Sequence, residues 1–139
     1  MRIKLLDGAT AVNGVPTAGD ATVGFPLYGM GATGLSHNVP ADGVCSLTAA
    51  STAGSGTMNC QLRIWLWVEA ISDWAPYGGH ATAASRGLIN LTNSIDEVDT
   101  DILRHTELIS GINNYKHIYG QLAAINGTST AIDFWIHGR

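Results

Sequence analysis

The length, composition and charge of the chain already exclude several classes of function. With 139 residues, of which 45% are hydrophobic, the chain can bury one core without disulfide or metal staples. Only 13% of its residues are charged, about half the roughly 25% of typical soluble domains. This low charge favours a surface covered in part by neighbouring proteins over a Thr/Ser-rich monomer. The net charge of −4 and the lack of any Lys/Arg run argue against nucleic-acid binding and a polybasic membrane patch.

The apolar segments predict neither secretion nor a membrane span. The N-terminal residues Met1–Gly8 contain too short an apolar stretch for a secretory signal. The longest apolar-rich run, Leu62–Ile71, contains Arg63 and Glu69 and is far too short to cross a bilayer. We therefore expect a soluble protein that is used in the cell that makes it, or in a particle assembled there.

Residues 1–43 predict an extended arm, because glycine and proline recur too often for long helices or central strands. One strand-like segment, Arg2–Leu6, opens the region. The arm is nevertheless too apolar for a disordered tail. Its apolar residues include Val23, Phe25, Leu27, Tyr28, Met30 and Leu35. We expect the arm to lie on a folded surface, either its own or a neighbour's.

The arm also contains a glycine pattern, Gly29–Gly34, that matches the dinucleotide-binding string G-x-G-x-x-G. A dinucleotide site requires a helix that opens at the last glycine and an acidic residue about 20 positions later. The segment Leu35–Pro40 cannot form a useful helix, and no acidic residue lies near residue 54. We interpret these glycines as loop formers and predict no cofactor.

Residues 44–139 predict a β domain of six to eight short strands. In Met58–Ala70 the even positions are all apolar and the odd positions mix polar and aromatic residues, which is the period of a strand with one buried face. Gly54-Ser55-Gly56 predicts a turn back to Val44–Ser51 as an antiparallel partner. Shorter strands are predicted at Trp74–Gly78, Gly87–Leu91 and Ile102–Ile109.

The end of the chain predicts a β-hairpin. Tyr115–Ile125 and Thr130–His137 flank residues 126–129, where Asn-Gly is a strong hairpin signal. In the last strand the apolar residues alternate with Asp133, Trp135 and His137, so the two sets occupy opposite faces. Together these patterns predict an all-β fold, an antiparallel β-sandwich or jelly roll with an extended N-terminal arm.

Residues 94–101 leave three structural interpretations. Asp96, Glu97, Asp99 and Asp101 form an acidic segment that we interpret as a solvated loop. One alternative is that these carboxylates supply oxygen ligands to a structural cation, although their spacing is not that of an EF-hand. The other is a turn or two of helix, because Ser94 and Glu97 have the spacing of a capping box.

The sequence contains no motif that indicates catalysis or metal binding. No nucleophile motif occurs, and neither histidines nor cysteines have the spacing of zinc ligands. Cys45 and Cys60 are interpreted as two reduced, buried thiols. The histidines, which we expect at the surface or at interfaces, are His37, His80, His105, His117 and His137. We predict no catalytic, metal-binding or cofactor-binding residues.

Aromatic residues on outward strand faces are the candidate interaction residues. They are Trp65, Trp67, Tyr115, Tyr119 and Trp135, with His117 between the tyrosines and with Phe25 and Tyr28 on the arm. Outward Trp and Tyr side chains bury a large area while keeping a polar group for partner contacts. Three interpretations stay open: contact between subunits, burial beneath a second sheet or the arm, and a platform for stacking sugars.

Four features together point to one class of protein: the Gly/Ala/Thr-rich, lysine-poor composition, the arm-like first third, the segment Asp101–Glu107 leading into Tyr115–Ile125, and the closing residues Ala131–Trp135. This pattern resembles small structural proteins of tailed-bacteriophage virions, especially capsid decoration (cement) proteins. The resemblance covers about residues 58–137. It implies a β-sandwich that forms homotrimers on the capsid lattice, contacts the major capsid protein or other virion proteins, and has no catalytic residues.

We therefore expect a non-enzymatic virion protein, made in the host cytoplasm, that clamps capsid subunits and uses the arm for interaction. One rival hypothesis is another virion part, such as a head–tail connector, tail or fibre module. The other is a carbohydrate-binding β-sandwich module that uses Trp65, Trp67 or Trp135.

Overall fold

The computed structural model describes residues 1–29, 38–52, 55–78, 88–95, 102–128 and 131–138. These residues form nine β-strands. They are β1 (Arg2–Ala9), β2 (Phe25–Pro26), β3 (Cys45–Thr52), β4 (Ser55–Val68), β5 (Asp73–Pro76), β6 (Leu88–Ile95), β7 (Ile102–Ile109), β8 (His117–Thr128) and β9 (Ala131–His137). Two 3₁₀ turns, Ala21–Val23 and Ile112–Asn114, complete the described elements. The all-β prediction is confirmed, and none of the described residues forms a helix long and apolar enough to cross a membrane.

The strands form two antiparallel sheets. In sheet A the strand order is β1-β9-β3-β7, and in sheet B it is β2-β8-β4-β5. Strand β6 also pairs with β4, along residues 56–63, whereas β5 pairs with residues 65–68. Strands β5 and β6 therefore follow one another along successive stretches of the long strand β4.

The pairing of the strands is nested about the middle of the chain. Strand β1 pairs with β9, β2 with β8, β3 with β7, and β4 with β5 and β6. Two further pairings, β3 with β9 and β8 with β4, join these pairs side by side. Strands near the two ends of the chain thus pair with one another, and strands nearer its middle pair with one another, in two sheets.

This nesting contradicts both predicted hairpins. Strand β3 lies in sheet A and β4 in sheet B, so the segment around Gly54 connects two sheets instead of two paired strands. Strands β8 and β9 likewise lie in different sheets, and β8 continues through Asn126 and Gly127 to Thr128. The physical reason is that each strand has one apolar face. The core contains residues from both sheets, so a strand buries its apolar face whether its neighbour in the sequence lies in the same sheet or in the other one.

One hydrophobic core contains residues of both sheets, and in β4 and β9 its members alternate along the strand as predicted. From sheet A they include Ile3, Leu5, Leu47, Ile132, Phe134 and Ile136, and from sheet B Leu62, Ile64, Leu66, Ile118 and Leu122. Gly120 of β8 permits this close approach, because a Cβ atom there would lie 2.7 Å from the Cβ atom of Leu5.

The remaining strand predictions are close to the structure. Strand β7 has the predicted bounds, and β5 lies within one to two residues of the prediction. Strand β6 is longer than predicted and includes Ser94 and Ile95. Residues 96–101, which hold the acidic segment, lie outside the described residues, as does most of the glycine pattern, residues 30–37.

The described part of the predicted arm lies on the chain's own sheets. It contributes strands β1 and β2, and Leu27 and Val39 join the main core. The division of the chain into an arm, 1–43, and a domain, 44–139, stays a prediction. Cys45, at its boundary, is a free and buried cysteine, and burial raises the pKa of its thiol to about 11. The side chain of Cys60 lies outside the described residues.

Candidate functional site

The outer face of sheet B carries a second hydrophobic cluster made of Trp65, Trp67 and Trp74, each only 7% exposed. The rings of Trp67 and Trp74 meet edge to face, with centroids 5.5 Å apart, a favourable geometry for aromatic pairs. The ring of Tyr119 lies 6.1 Å from that of Trp74. The Trp65 indole N–H donates to Oε1 of Gln121 at 2.8 Å. Trp65 and Trp67 point outward, as alternation along the strand predicted, yet all three tryptophans are buried and Tyr119 is half-buried.

Their cover is residues 10–24, here called the strap, which connects β1 and β2. The Trp74 Nε1–H donates to the carbonyl oxygen of Asp20 at 2.9 Å, and the Tyr119 hydroxyl donates to that of Gly14 at 3.1 Å. Gly24 lies so close to Trp74 that a Cβ atom would be 2.5 Å from the indole ring. The strap therefore packs against this cluster through Trp74, Tyr119 and Ala21, and all three tryptophans are buried in the free chain.

Asn13 of the strap also completes the pairing of β8. Strand β2 pairs only with His117 and Ile118, so the described part of this edge of β8 continues without a partner strand. The Asn13 side-chain amide donates to the carbonyl oxygen of Gly120 at 3.0 Å, and the Leu122 N–H donates to Asn13 Oδ1 at 2.7 Å. One side chain therefore satisfies two backbone groups of an edge that would otherwise be open to another strand.

Two carboxylates hold the middle of the strap. Asp73 Oδ1 accepts from the Gly19 N–H at 3.0 Å and from the Trp74 N–H at 2.8 Å. Asp20 Oδ1 accepts from the Thr22 N–H at 2.9 Å and caps the first 3₁₀ turn. Backbone hydrogen bonds lower the pKa of Asp73 below its ordinary 3.8, and hydrogen bonds from Thr22 lower the pKa of Asp20.

The depressed pKa of Asp73 makes the attachment of the strap sensitive to acid. The stabilisation by this carboxylate is present above its unfolded pKa and is lost as the pH falls through the lower folded pKa. We expect the NMR amide resonance of Gly19 to titrate with a midpoint below 3.8. In Asp73→Asn this titration should disappear, while the Thr22 amide should still follow Asp20. A Gly19 midpoint at or above 3.8 in the wild-type chain would contradict the hydrogen-bonding account.

The outer face of sheet A, in contrast, is not covered by any other described segment. We define this face by the register of β1, β9, β3 and β7 as Arg2, Lys4, Ser46, Thr48, Ala50, Thr106, Leu108, Asp133, Trp135 and His137. Trp135 lies near its middle, with the Arg2 guanidinium carbon 4.5 Å and the Lys4 Nζ 4.9 Å from the ring centroid. Lys4 also pairs with Asp7 at 2.7 Å and Asp133 at 3.1 Å.

Polar side chains beside Trp135 are held by hydrogen bonds along this face. Thr48 Oγ1 lies 2.9 Å from Nε2 of His137 and 2.5 Å from Oγ1 of Thr106. A groove of about 450 Å³ opens here, lined by Met1, Arg2, Thr48, Trp135, His137 and Gly138. We call it the Trp135 groove. Its walls combine one aromatic ring with several oriented polar groups.

A second, smaller groove continues this surface toward β7. Its volume is about 210 Å³, and it is lined by Asp42, Val44, Cys45, Ser46, Leu108, His137 and Gly138. Leu108 is 73% exposed, and Val44 beside it is also exposed. His137 and Gly138 line both grooves, so the two grooves are neighbours on the surface.

The structure separates the predicted interaction residues into different places. Trp135 alone lies on the outer face of sheet A, whereas Trp65, Trp67 and Tyr119 lie in sheet B, in or against the tryptophan cluster. Tyr115 and Phe25 pack against the main core, and Tyr28, partly exposed, bridges to Asn38. His117 lies in sheet B and His137 in sheet A, so they do not share the predicted hairpin.

Leu108 was missed as a candidate, although the sequence contains a signal for it. Leu108 and Ile109 are consecutive apolar residues within one strand, and successive side chains of a strand point to opposite faces. Ile109 is buried, so Leu108 must point outward. Val44, next to the buried Cys45, follows the same rule.

The arrangement on sheet A can bind a partner through apolar contact and oriented hydrogen-bond donors. Within the ranges that the structure describes, no three His, Cys, Asp or Glu side chains lie close enough together to hold a metal ion.

Comparisons with protein-family models, curated proteins and solved structures found no match to this chain.

Proposed function

We propose that this chain is a non-enzymatic structural protein of a phage particle, a decoration or cement protein that binds and stabilises the capsid. The observation that carries the proposal is the outer face of sheet A, which ends in the exposed Leu108 and Val44. An apolar patch beside oriented polar groups is typical of protein–protein contact surfaces. In this proposal the face bridges capsid subunits, and the chain is present on the virion as a homotrimer.

The nested strand pairing supports a jelly-roll sandwich as the finer description of the fold. If β5 and β6 are counted as one interrupted strand, each strand of the first half pairs with its counterpart in the second half, in two sheets of four positions. A hairpin rolled up in this way is the jelly-roll arrangement, which recurs in viral capsid proteins and in lectins. The fold is therefore compatible both with capsid binding and with sugar binding. The choice between these two functions depends on the residues at the surface.

The surface favours a protein partner over a carbohydrate. Stacking of a sugar requires a free aromatic face, but Arg2 and Lys4 lie over Trp135. Trp65 and Trp67 are buried. A different virion location, such as a connector, tail or fibre, would use the same kind of contact, and imaging of the chain on particles distinguishes these locations.

Leu108→Ser tests the proposed contact. Burial of an exposed leucine stabilises a contact by about 1.5–3 kcal/mol. The substitution should therefore weaken capsid binding by about 10- to 100-fold per contact. Because the side chain is 73% exposed in the free chain, the free energy of unfolding should change by less than about 0.5 kcal/mol. Binding to undecorated capsids, measured by co-sedimentation across a concentration series, gives the comparison.

Ile71→Ser is the matched control, since Ile71 is 63% exposed but lies in the turn between β4 and β5, away from sheet A. This variant should bind capsids like the wild-type chain. Equal capsid binding by Leu108→Ser and the wild type would overturn the assignment of this face, and failure of the wild-type chain to bind any capsid would overturn the proposed function. Light scattering of the free protein tests the homotrimer separately.

A further inference from the structure

Arg2 is a cation held in place on the outer face of sheet A without a carboxylate partner from the described part of the chain. Its guanidinium lies over the Trp135 ring, which restricts its orientation. The neighbouring carboxylates of Asp7 and Asp133 both pair with Lys4. The exposed guanidinium of Arg2 therefore keeps its planar set of donors available at the wall of the Trp135 groove.

The other walls of the groove place polar groups near the same opening. His137 and Thr48 are fixed relative to one another by their 2.9 Å hydrogen bond. Both line the groove together with Arg2 and Trp135. A ligand that enters thus meets a guanidinium, an imidazole, a hydroxyl and an indole edge on rigid strands, which is the kind of preorganised site that lowers the cost of binding.

The chemistry of these groups selects the ligand. Guanidinium donors match the two oxygens of a carboxylate in a bidentate pair. A nucleic-acid backbone is disfavoured, because Asp7 and Asp133 lie close by and the chain carries a net charge of −4. A single carboxylate on a protein side chain can pair with Arg2. Unlike a nucleic-acid backbone, it does not bring a row of further negative charges close to Asp7 and Asp133.

We propose that the Trp135 groove is a receptor for one Asp or Glu side chain of the capsid subunit, bound through Arg2. The identity of the partner rests on the proposed function, whereas the carboxylate specificity of the groove does not. In the complex the carboxylate accepts two hydrogen bonds from Arg2, and the aliphatic part of the acidic side chain packs along the Trp135 edge.

The groove can be tested on the isolated chain with two short peptides. NMR spectra of the four Trp indole N–H groups are recorded during titration with N-acetyl-Gly-Glu-Gly-amide and with its glutamine analogue. The Trp135 signal is assigned with Trp135→Phe. We expect a saturable shift of the Trp135 signal with the glutamate peptide only, and an affinity reduced about tenfold or more in Arg2→Gln. Arg2→Lys should restore part of the affinity, because it keeps the charge and loses the bidentate geometry.

Lys116→Gln is the control for net charge, since Lys116 is exposed and pairs with Glu69 instead of facing this groove. It should bind the glutamate peptide like the wild type. Equal shifts with both peptides, or binding that survives Arg2→Gln, would overturn the carboxylate site. If the peptide binds through Arg2 but the wild-type chain does not bind capsids, the proposed function fails and the site stands. If Arg2→Gln loses the peptide but retains full capsid affinity, the capsid carboxylate is wrong.

Discussion

Replacing Trp74 with alanine is expected to lower the free energy of unfolding by about 3–5 kcal/mol, the range for truncation of a buried aromatic residue. Trp74 packs edge to face on Trp67, contacts Tyr119 and donates to the carbonyl oxygen of Asp20. It therefore joins the outer face of sheet B to the strap. The substitution should also detach the strap, because Gly24 packs directly on the indole ring.

Trp74→Phe separates the two contributions of Trp74. It keeps an aromatic ring near Trp67 but removes the indole donor and the outer ring atoms that Gly24 approaches, so the loss should be about 1–3 kcal/mol, less than for alanine. Urea unfolding gives both free energies, and limited proteolysis reports cleavage within residues 10–24 under native conditions. We expect rapid strap cleavage in Trp74→Ala and slow cleavage in Trp74→Phe. Resistance of Trp74→Ala to cleavage would mean that the strap is held without the tryptophan cluster.

Phe134→Ala is the second large effect, with an expected loss of about 3–5 kcal/mol. Phe134 is fully buried between the sheets, among the apolar residues of β1, β3 and β8. Its neighbour Trp135 lies on the opposite face of the same strand, at the surface groove. We therefore expect the larger loss in free energy of unfolding at Phe134, although Trp135 has the larger ring, because the loss depends on how deeply the side chain is buried.

Trp135→Ala is the matched comparison within β9. We expect it to cost less than half as much as Phe134→Ala, since Trp135 is only half-buried and its cation–π contacts contribute about 0.5–1 kcal/mol each. Urea unfolding of the two variants under one set of conditions provides the test. Equal losses, or a larger loss for Trp135→Ala, would contradict the assignment of the two faces of β9.

The strand faces could be predicted from the sequence because they depend on local periodicity. Alternation in β4 identified Leu62, Ile64 and Leu66 as core residues, and alternation in β9 separated Phe134 from Trp135. Neither conclusion required knowledge of the neighbouring strands. The bounds of β7 were also predicted, although only Ile102, Thr106 and Ile109 among its residues have high strand propensity.

The pairing partners of the strands could not be predicted. Turn residues indicate where the chain changes direction, but they do not determine which strand the next segment pairs with. Asn126-Gly127 suggested a tight hairpin, yet the chain crosses from sheet B to sheet A between β8 and β9. Which strands pair depends on contacts far apart in sequence, such as β1 with β9. No local pattern encodes these contacts.

The candidate site was predicted only in part, for a similar reason. The outward direction of Trp65, Trp67 and Trp135 follows from alternation, but the first two are buried in a cluster against which the strap packs, and the third lines a surface groove. That difference arises from Asn13, Asp20 and Gly24, whose contacts with sheet B are long-range. An outward aromatic residue is thus a contact candidate only where the rest of the chain leaves it uncovered.

The most direct test of the account is hydroxyl-radical footprinting of the chain free and bound to capsids. If the outer face of sheet A binds the capsid, Leu108 and Trp135 become protected from oxidation on the capsid, whereas Ile71 is oxidised equally in both states. Protection of Ile71, with Leu108 and Trp135 unchanged, would contradict the claim that the outer face of sheet A is the binding surface.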